Sequence, residues 1–397
     1  MQFRKDRTGR PISLLGYGCM RFSRSGGAID LAKAEQEILE AVRLGVNYFD
    51  TAYIYPGSEE ALGSIVQKNG LRDRINIATK LPQYLIRSPA AIDRYFDEQL
   101  RRLRTDHIDY YLMHMLTDAA AWQKLVDLGI RDWIERKKAE GAIRQIGFSF
   151  HGDTRQFLDI LNAYDWDFCQ IQYNYLDENT QAGRKGLTAA FEKHVPVIIM
   201  EPLRGGKLVT LLPEKARALI AADTKKRSPA ELAFKWLFDQ EAVTCVLSGM
   251  NSVEMVRENC QWADETLPGS LDEGDRQLYS ALRDSIQAEL RVPCTGCGYC
   301  MPCPQGVDIP GAFRCYNRMY TEGRGSGRKE YFQTVSLQKR APFATQCVAC
   351  GKCVSHCPQH IPIIEKLREA DRALRPVPYR IASSVARRFL FRKDRQG

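Results

Sequence analysis

Eight short apolar runs, each followed by an amphipathic stretch, constrain this chain more than any other feature. The runs are ISLLGYGCM, VNYFDTA, INIATK, DYYLMHM, RQIGFSF, FCQIQYN, VPVIIMEP and VTCVLSGM. Most are nearly continuously apolar, as strands are when both faces of a parallel sheet are covered. The covering helices are supplied by stretches such as KAEQEILEAVRLG, PAAIDRYFDEQLRRLR and WQKLVDLGIRDWIERKKAEG. Eight strand-helix units in about 260 residues predict an α/β fold, a closed (β/α)8 TIM barrel. A doubly wound sheet is the alternative, but no G-x-G-x-x-G follows the first run. The opening MQFRKDRTGRPISLL carries a Thr-Gly turn and reads as a hairpin over the barrel floor.

The pattern fades after Trp262, where LPGSLDEGDRQLYSALRDSIQAEL reads as a linker and a helix. Two cysteine runs follow, CTGCGYCMPCP from Cys294 and CVACGKCVSHCP from Cys347. The expected domains are therefore a barrel over 1–285, a mainly helical iron-sulfur domain over 286–373 and a basic tail over 374–397.

Eight of the 13 cysteines lie in those two runs. Clustered cysteines in a cytosolic chain point to metal rather than to disulfides. Three-residue spacing lets a tight loop aim successive thiolates at one point. The second run, Cys347, Cys350, Cys353, Cys357 and Pro358, has the C-x2-C-x2-C-x3-C-P spacing of bacterial ferredoxins. The first, Cys294, Cys297, Cys300, Cys303 and Pro304, is one residue shorter at its last gap. Together they resemble helical two-cluster ferredoxin domains. That resemblance implies one [4Fe-4S] cluster on Cys294, Cys297, Cys300 and Cys357, and another on Cys347, Cys350, Cys353 and Cys303. Zinc is the competing reading of C-x2-C pairs. His356 and His360 adjoin the second run as surface or supporting residues.

The formal net charge is +9, most of it in the tail from Arg375 onward. No basic folded module of the kind that binds nucleic acid is visible. The tail segment IASSVARRFLFRK reads as a solvated terminus, with weak contact to a membrane surface or an acidic partner as the alternative. No run suits a transmembrane helix and no signal peptide is visible, so a cytoplasmic location is expected.

In such a barrel, polar residues at the carboxyl ends of the strands carry the chemistry. The second strand ends in Asp50, with Tyr53 three residues on; the third ends in Lys80; the fourth contains His114. A phenol is too weak an acid at neutral pH unless a nearby ammonium stabilises its anion. A carboxylate holds the ammonium, and an imidazole orients the substrate oxygen. That set suits delivery of a proton to a carbonyl oxygen.

The segments GVNYFDTAYIYPGSEEALG, IATK, DYYLMH and GMNSVEMVRENC make the chain resemble the aldo-keto reductase family over residues 1 to 265. The resemblance implies NAD(P)H-dependent reduction of an aldehyde or ketone, or the reverse oxidation, without a Rossmann fold. It makes Tyr53 the proton donor, Lys80 and Asp50 its tuning pair and His114 the group orienting the carbonyl. It assigns the nicotinamide amide to Ser149 and Gln170. It assigns the pyrophosphate to Leu203, Arg204, Gly205 and Lys207 of EPLRGGKL, and the adenine end to Glu258 and Asn259. Met200 and Phe150 replace residues usual beside the nicotinamide. Gly249 and Met255 replace the cations usual at a 2′-phosphate, with Arg257 nearby, so NADP and NAD both remain open. Tyr55, Met115 and Tyr175 are candidates to line the carbonyl substrate's pocket.

Nicotinamide exchanges electron pairs and a [4Fe-4S] cluster single electrons, and a flavin normally joins them; no clear flavin fingerprint is present. The clusters therefore either stabilise the C-terminal domain, near the barrel mouth, or serve a redox partner protein. An alternative function is an iron-sulfur electron-transfer protein whose barrel senses the nicotinamide redox state. A third is a coenzyme-binding regulatory subunit.

Overall fold

The computed structural model describes residues 1–391 apart from Glu289, Thr295, Cys297, Lys339 and Pro358. Eight parallel strands close into a barrel: β1 Leu15–Gly18, β2 Tyr48–Asp50, β3 Asn76–Leu81, β4 Ile108–Leu116, β5 Ile143–Phe150, β6 Phe168–Gln172, β7 Val197–Met200 and β8 Cys245–Ser248. Each pairs with its sequence neighbours, and β8 pairs with β1. Every strand lies within one of the eight apolar runs, to within a residue at either end.

Side chains alternate between the two faces of each strand. Outward residues such as Phe49, Ile77, Tyr111, Ile146 and Ile171 join the core between sheet and helices. Inward residues near the floor are apolar: Tyr48, Tyr110, Phe168, Ile198 and Cys245 form a cluster inside the barrel. The N-terminal hairpin, Phe3–Lys5 with Pro11–Ser13, closes that floor and buries Ile12 in the same cluster. Asp6 fixes the hairpin turn by accepting from the Thr8 and Arg10 amides at 2.8 and 2.9 Å. Its other oxygen accepts from the Tyr110 hydroxyl at 2.7 Å.

Two positions further along the same inward rows, the residues become polar: Asp50 after Tyr48, Lys80 after Ala78, His114 after Leu112 and Gln170 after Phe168. The period of two thus turns an apolar plug into a polar rim.

The helix Glu273–Gln287 still belongs to the barrel's core through Tyr279, Leu282 and Ile286. A separate core begins at Val292 and includes Phe313, Tyr316, Tyr331, Val335, Ile363, Leu367 and Leu374. It is built from helices Ile309–Thr321, Arg324–Tyr331 and Ile363–Leu374. The residues expected to form a solvated tail instead carry a helix, Val377–Leu390. Arg387 ties it down by donating to the Ser336 and Gln338 carbonyls, and Arg87 of the barrel donates to the Phe389 and Leu390 carbonyls. Its outer face exposes Val377, Ile381, Val385 and Phe389. Among the described residues no helix is long and apolar enough to cross a membrane.

Candidate active site and cluster sites

The rim of β2, β3 and β6 holds a buried ionic group. Lys80 Nζ donates to Asp50 Oδ1 at 2.5 Å and to the Thr51 carbonyl at 2.7 Å. Gln170 Nε2 donates to Asp50 Oδ2 at 2.9 Å. Lys80 is 1% exposed. Taking two charges out of water is costly unless they meet at close range with further hydrogen bonds, and this pair has both.

The tyrosine beside this pair is Tyr55, not Tyr53. Lys80 Nζ lies 5.3 Å from the Tyr55 ring centroid. The Tyr55 and His114 rings meet edge to face at 6.1 Å. Tyr53 faces the neighbouring helices instead, with the Arg102 guanidinium 4.2 Å above its ring and Tyr95 edge-on at 4.8 Å. The expectation that placed Tyr53 beside Lys80 is therefore corrected. After β2 the chain turns tightly, with the Tyr55 amide donating to Ala52 and that of Ser58 to Tyr55. That turn directs residue 55 inward and residue 53 outward.

Burial pushes the Tyr55 phenol up, with the Asp50 and Glu201 carboxylates acting in the same direction and Arg21 opposing. The net shift is upward rather than downward, because burial outweighs the cations nearby. Tyr55 accordingly holds its proton at neutral pH. Burial and the Lys80 and His151 charges hold His114 well below the usual imidazole range. It is a neutral ring, and its buried Nδ1 has no hydrogen-bond partner.

Ser149 and Gln170 lie side by side on β5 and β6. Ser149 Oγ accepts from the Met115 amide at 2.8 Å, where β4 bulges and Met115 takes a φ of 55°. These bonds use Ser149 as acceptor and Gln170 as donor, and the opposite roles suit a carboxamide. Phe150 points outward against Phe157. Leu203 packs on the barrel core. Gly205 and Gly206 take φ values of 70° and 91°, which glycine adopts without strain. Arg204 and Lys207 pair with Glu322 of the C-terminal domain. Asn259 is buried and donates to Ser248 Oγ at 2.8 Å, whereas Glu258 is exposed. Arg257 pairs with Glu40 at 2.6 Å. Tyr175 packs against Tyr279, with ring centroids 5.9 Å apart.

The cysteines form two groups. Cys303, Cys347, Cys350 and Cys353, with Cys300, line a cavity of about 260 Å³. Cys294, Cys300 and Cys357 line a second beside Phe313 and Ile363. Cys297 lies outside the described residues. Burial pushes the Cys353 thiol up, and Cys347, Cys303 and Cys350, which line the same cavity, add to the shift. Left-handed residues at Ala349 and Gly351 tighten the loop that aims them inward. An all-sulfur donor set around an open cavity fits an iron-sulfur cluster, whose own atoms fill the space between ligands.

Residues 14–270 match the Aldo/keto reductase family, and residues 293–361 match the 4Fe-4S dicluster domain. The chain belongs to the aldo/keto reductase family. It is an NAD(P)-dependent oxidoreductase whose C-terminal region carries a 4Fe-4S domain. The chain is 27% identical to the L-galactose dehydrogenase of Arabidopsis thaliana over 70% of its length and 93% of the other's. It is 27% identical to the uncharacterized oxidoreductase YqkF of Bacillus subtilis over 64% and 88%. Among solved structures it resembles the holo form of aldo-keto reductase AKR11C1 from Bacillus halodurans. The TM-score is 0.59 at 28% identity, covering 71% of this chain and 96% of that one.

Arg21 was not singled out from sequence. A Cβ at Gly249 would lie 2.5 Å from Arg21 Cγ, and one at Gly205 would lie 3.0 Å from Nη2. The guanidinium thus bridges the loops after β7 and β8, and both glycines leave it room. The signal available was an arginine three residues beyond β1, on the face at the carboxyl ends of the strands. The C-terminal domain sits close to that face. Gly296, in the first cysteine loop, packs on the Asn179 carbonyl and Thr180 after β6.

Proposed function

We propose that this enzyme reduces an aldehyde or ketone, or oxidises the corresponding alcohol, with Tyr55 in place of Tyr53 as the proton donor. The observation that carries the reading is the position of the Tyr55 ring against both Lys80 and His114 at the rim. The coenzyme, when bound, supplies or takes the hydride. Tyr55 gives its hydroxyl proton to the carbonyl oxygen as that oxygen gains negative charge. Lys80, held by Asp50, stabilises the phenolate left behind. His114, neutral, hydrogen-bonds the carbonyl oxygen and fixes its direction.

Ser149 and Gln170 would hold the nicotinamide carboxamide, and Leu203, Arg204, Gly205 and Lys207, with Arg21, the pyrophosphate. Asn259 and Glu258 would hold the adenine end. The coenzyme is NADPH or NADH, since Arg257 is engaged by Glu40. Cys294, Cys297, Cys300 and Cys357 would hold one [4Fe-4S] cluster, and Cys303, Cys347, Cys350 and Cys353 a second. The clusters serve a redox partner or support the C-terminal domain against the barrel mouth.

The test is hydride transfer to a carbonyl panel by Tyr55→Phe and Tyr53→Phe variants. Tyr55→Phe should lower kcat by about 10²–10⁴-fold, the usual range for a lost general acid. Tyr53→Phe should retain most of the activity. Full turnover by Tyr55→Phe would remove Tyr55 as the donor, whereas no carbonyl turnover by the unaltered protein, with coenzyme binding and partner reduction intact in Tyr55→Phe, would favour the electron-transfer reading instead.

A further inference from the structure

Two cations of the loop after β7 are held by the C-terminal domain. Lys207 Nζ donates to Glu322 Oε2 at 2.7 Å. Arg204 Nη2 lies 3.1 Å from Glu322 Oε1. Glu322 ends the helix Ile309–Thr321 as its C-cap, and its side chain is 4% exposed. Ser326, on the next helix, accepts from Lys207 and donates to Glu322 at 3.2 Å.

The contact belongs to a larger buried network. Arg318 Nε donates to Glu322 at 2.5 Å, and its Nη1 donates to Glu330 at 2.6 Å. Arg314 donates to the same Glu330 at 2.7 Å. On the barrel side Arg204 Nε lies 3.2 Å from Asp177, yet that nitrogen is buried without a hydrogen bond. Arg204, Lys207, Arg314 and Arg318 thus contact Asp177, Glu322 and Glu330. Arg204, Lys207, Arg314, Arg318 and Glu322 also line a cavity of about 400 Å³, which Cys294 and Gly296 of the first cysteine loop border.

We propose that Glu322 sets the coenzyme affinity: its carboxylate occupies the Arg204 and Lys207 groups that the pyrophosphate uses, so coenzyme binding and docking of the C-terminal domain compete. This rests on the assignment of that loop to the pyrophosphate. A carboxylate and a phosphate both accept from a guanidinium fork and an ammonium in charge-assisted hydrogen bonds. Glu201 and Asp308 also act on Arg318 and Arg314, so the cations have no charge to spare, and a pyrophosphate carries about two negative ones. Adding it while Glu322 stays in place would set like charges together in a region sheltered from water, where screening is weak. Glu322 must therefore withdraw as phosphate enters. By linkage the effect is reciprocal: the factor by which docking weakens coenzyme binding is the factor by which coenzyme weakens docking. Because Arg318 holds both Glu322 and Glu330, withdrawal would be felt along the helix Ile309–Thr321, which packs beside the cysteine loops.

The test is equilibrium titration of the cluster-loaded full chain with NADPH and with NADH, followed by tryptophan fluorescence. Glu322→Gln should tighten both coenzymes by about tenfold, within the usual range of coupling between sites. Lys207→Gln should weaken both. In the unaltered protein, coenzyme should speed amide exchange in the segment 309–331, and inorganic pyrophosphate at saturating concentration should do the same. If Lys207→Gln weakens the coenzymes but Glu322→Gln leaves them unchanged or weaker, the competition is wrong and the loop assignment stands. If Lys207→Gln has no effect, the loop assignment falls and takes the competition with it. Should Glu322→Gln fail to fold, Ser326→Ala serves in its place with a smaller tightening, and slower exchange on coenzyme addition overturns the proposal.

Discussion

The barrel and the C-terminal domain each gather functional side chains, but by opposite means. Asp50, Lys80, His114 and Gln170 come from four strands and meet only because parallel pairing fixes their height and the period of two fixes their face. The cysteines come from two short loops, and their spacing in the chain does most of the aiming. The rim is consequently built by a large apolar core that exists without any bound group. The cysteine loops pack on a much smaller core that shares its surface with the thiols themselves. A site assembled by the sheet should survive loss of its ligand, whereas a site assembled by loops should depend on it, as small metal domains do.

The largest expected effect breaks that comparison directly. Anaerobic removal of iron, or Cys347→Ser with Cys353→Ser, should abolish amide-exchange protection across Ile309–Thr321 and Ile363–Leu374. The barrel strands should keep theirs. Equal loss in both regions would show that the two cores are one cooperative unit.

Next is Lys80→Met. It leaves the Asp50 carboxylate buried without its cation, and breaking such a pair costs about 3–5 kcal/mol. Denaturant unfolding should show the loss in the barrel transition, with the iron content unchanged.

A smaller effect follows from His114. Its folded-state affinity for protons is lowered, so below pH 6.5 the unfolded chain takes up a proton that the folded chain refuses. Stability should therefore fall as pH drops from 6.5 toward 5, before most carboxylates titrate. His151 is lowered as well, again mainly by burial, and adds to the same slope. Thermal melts should show that slope, and His114→Gln should flatten it. A slope unchanged by His114→Gln would mean the imidazole is charged in the fold.

The smallest effect sharpens the coenzyme end of the barrel. Glu40→Gln releases Arg257 from a partly exposed ion pair. NADPH should gain about two- to fivefold over NADH in kcat/KM, the scale of such pairs.

Much of this was legible in the chain. Buried parallel strands leave long apolar runs, so all eight could be marked, and Asp50, Lys80 and His114 stood at the ends of three of them. The choice between Tyr53 and Tyr55 was not legible, because a tight turn decides which side chain points inward and both residues sit in the same short loop. Arg21 was missed because its role depends on two glycines more than 180 residues away. The tail was misread for a related reason: its basic residues suggested solvent, yet Arg387 and Arg87 find carbonyls only where the folded chain brings helix and barrel together.

By itself the sequence determined the barrel, the fused cysteine domain and the polar residues at the strand ends, since these follow from hydropathy period and local spacing. Tertiary structure alone decided which tyrosine meets Lys80 and that Glu322 faces Arg204 and Lys207. Those are contacts between segments far apart in the chain, and no local pattern specifies the distance between two charges until the chain has packed.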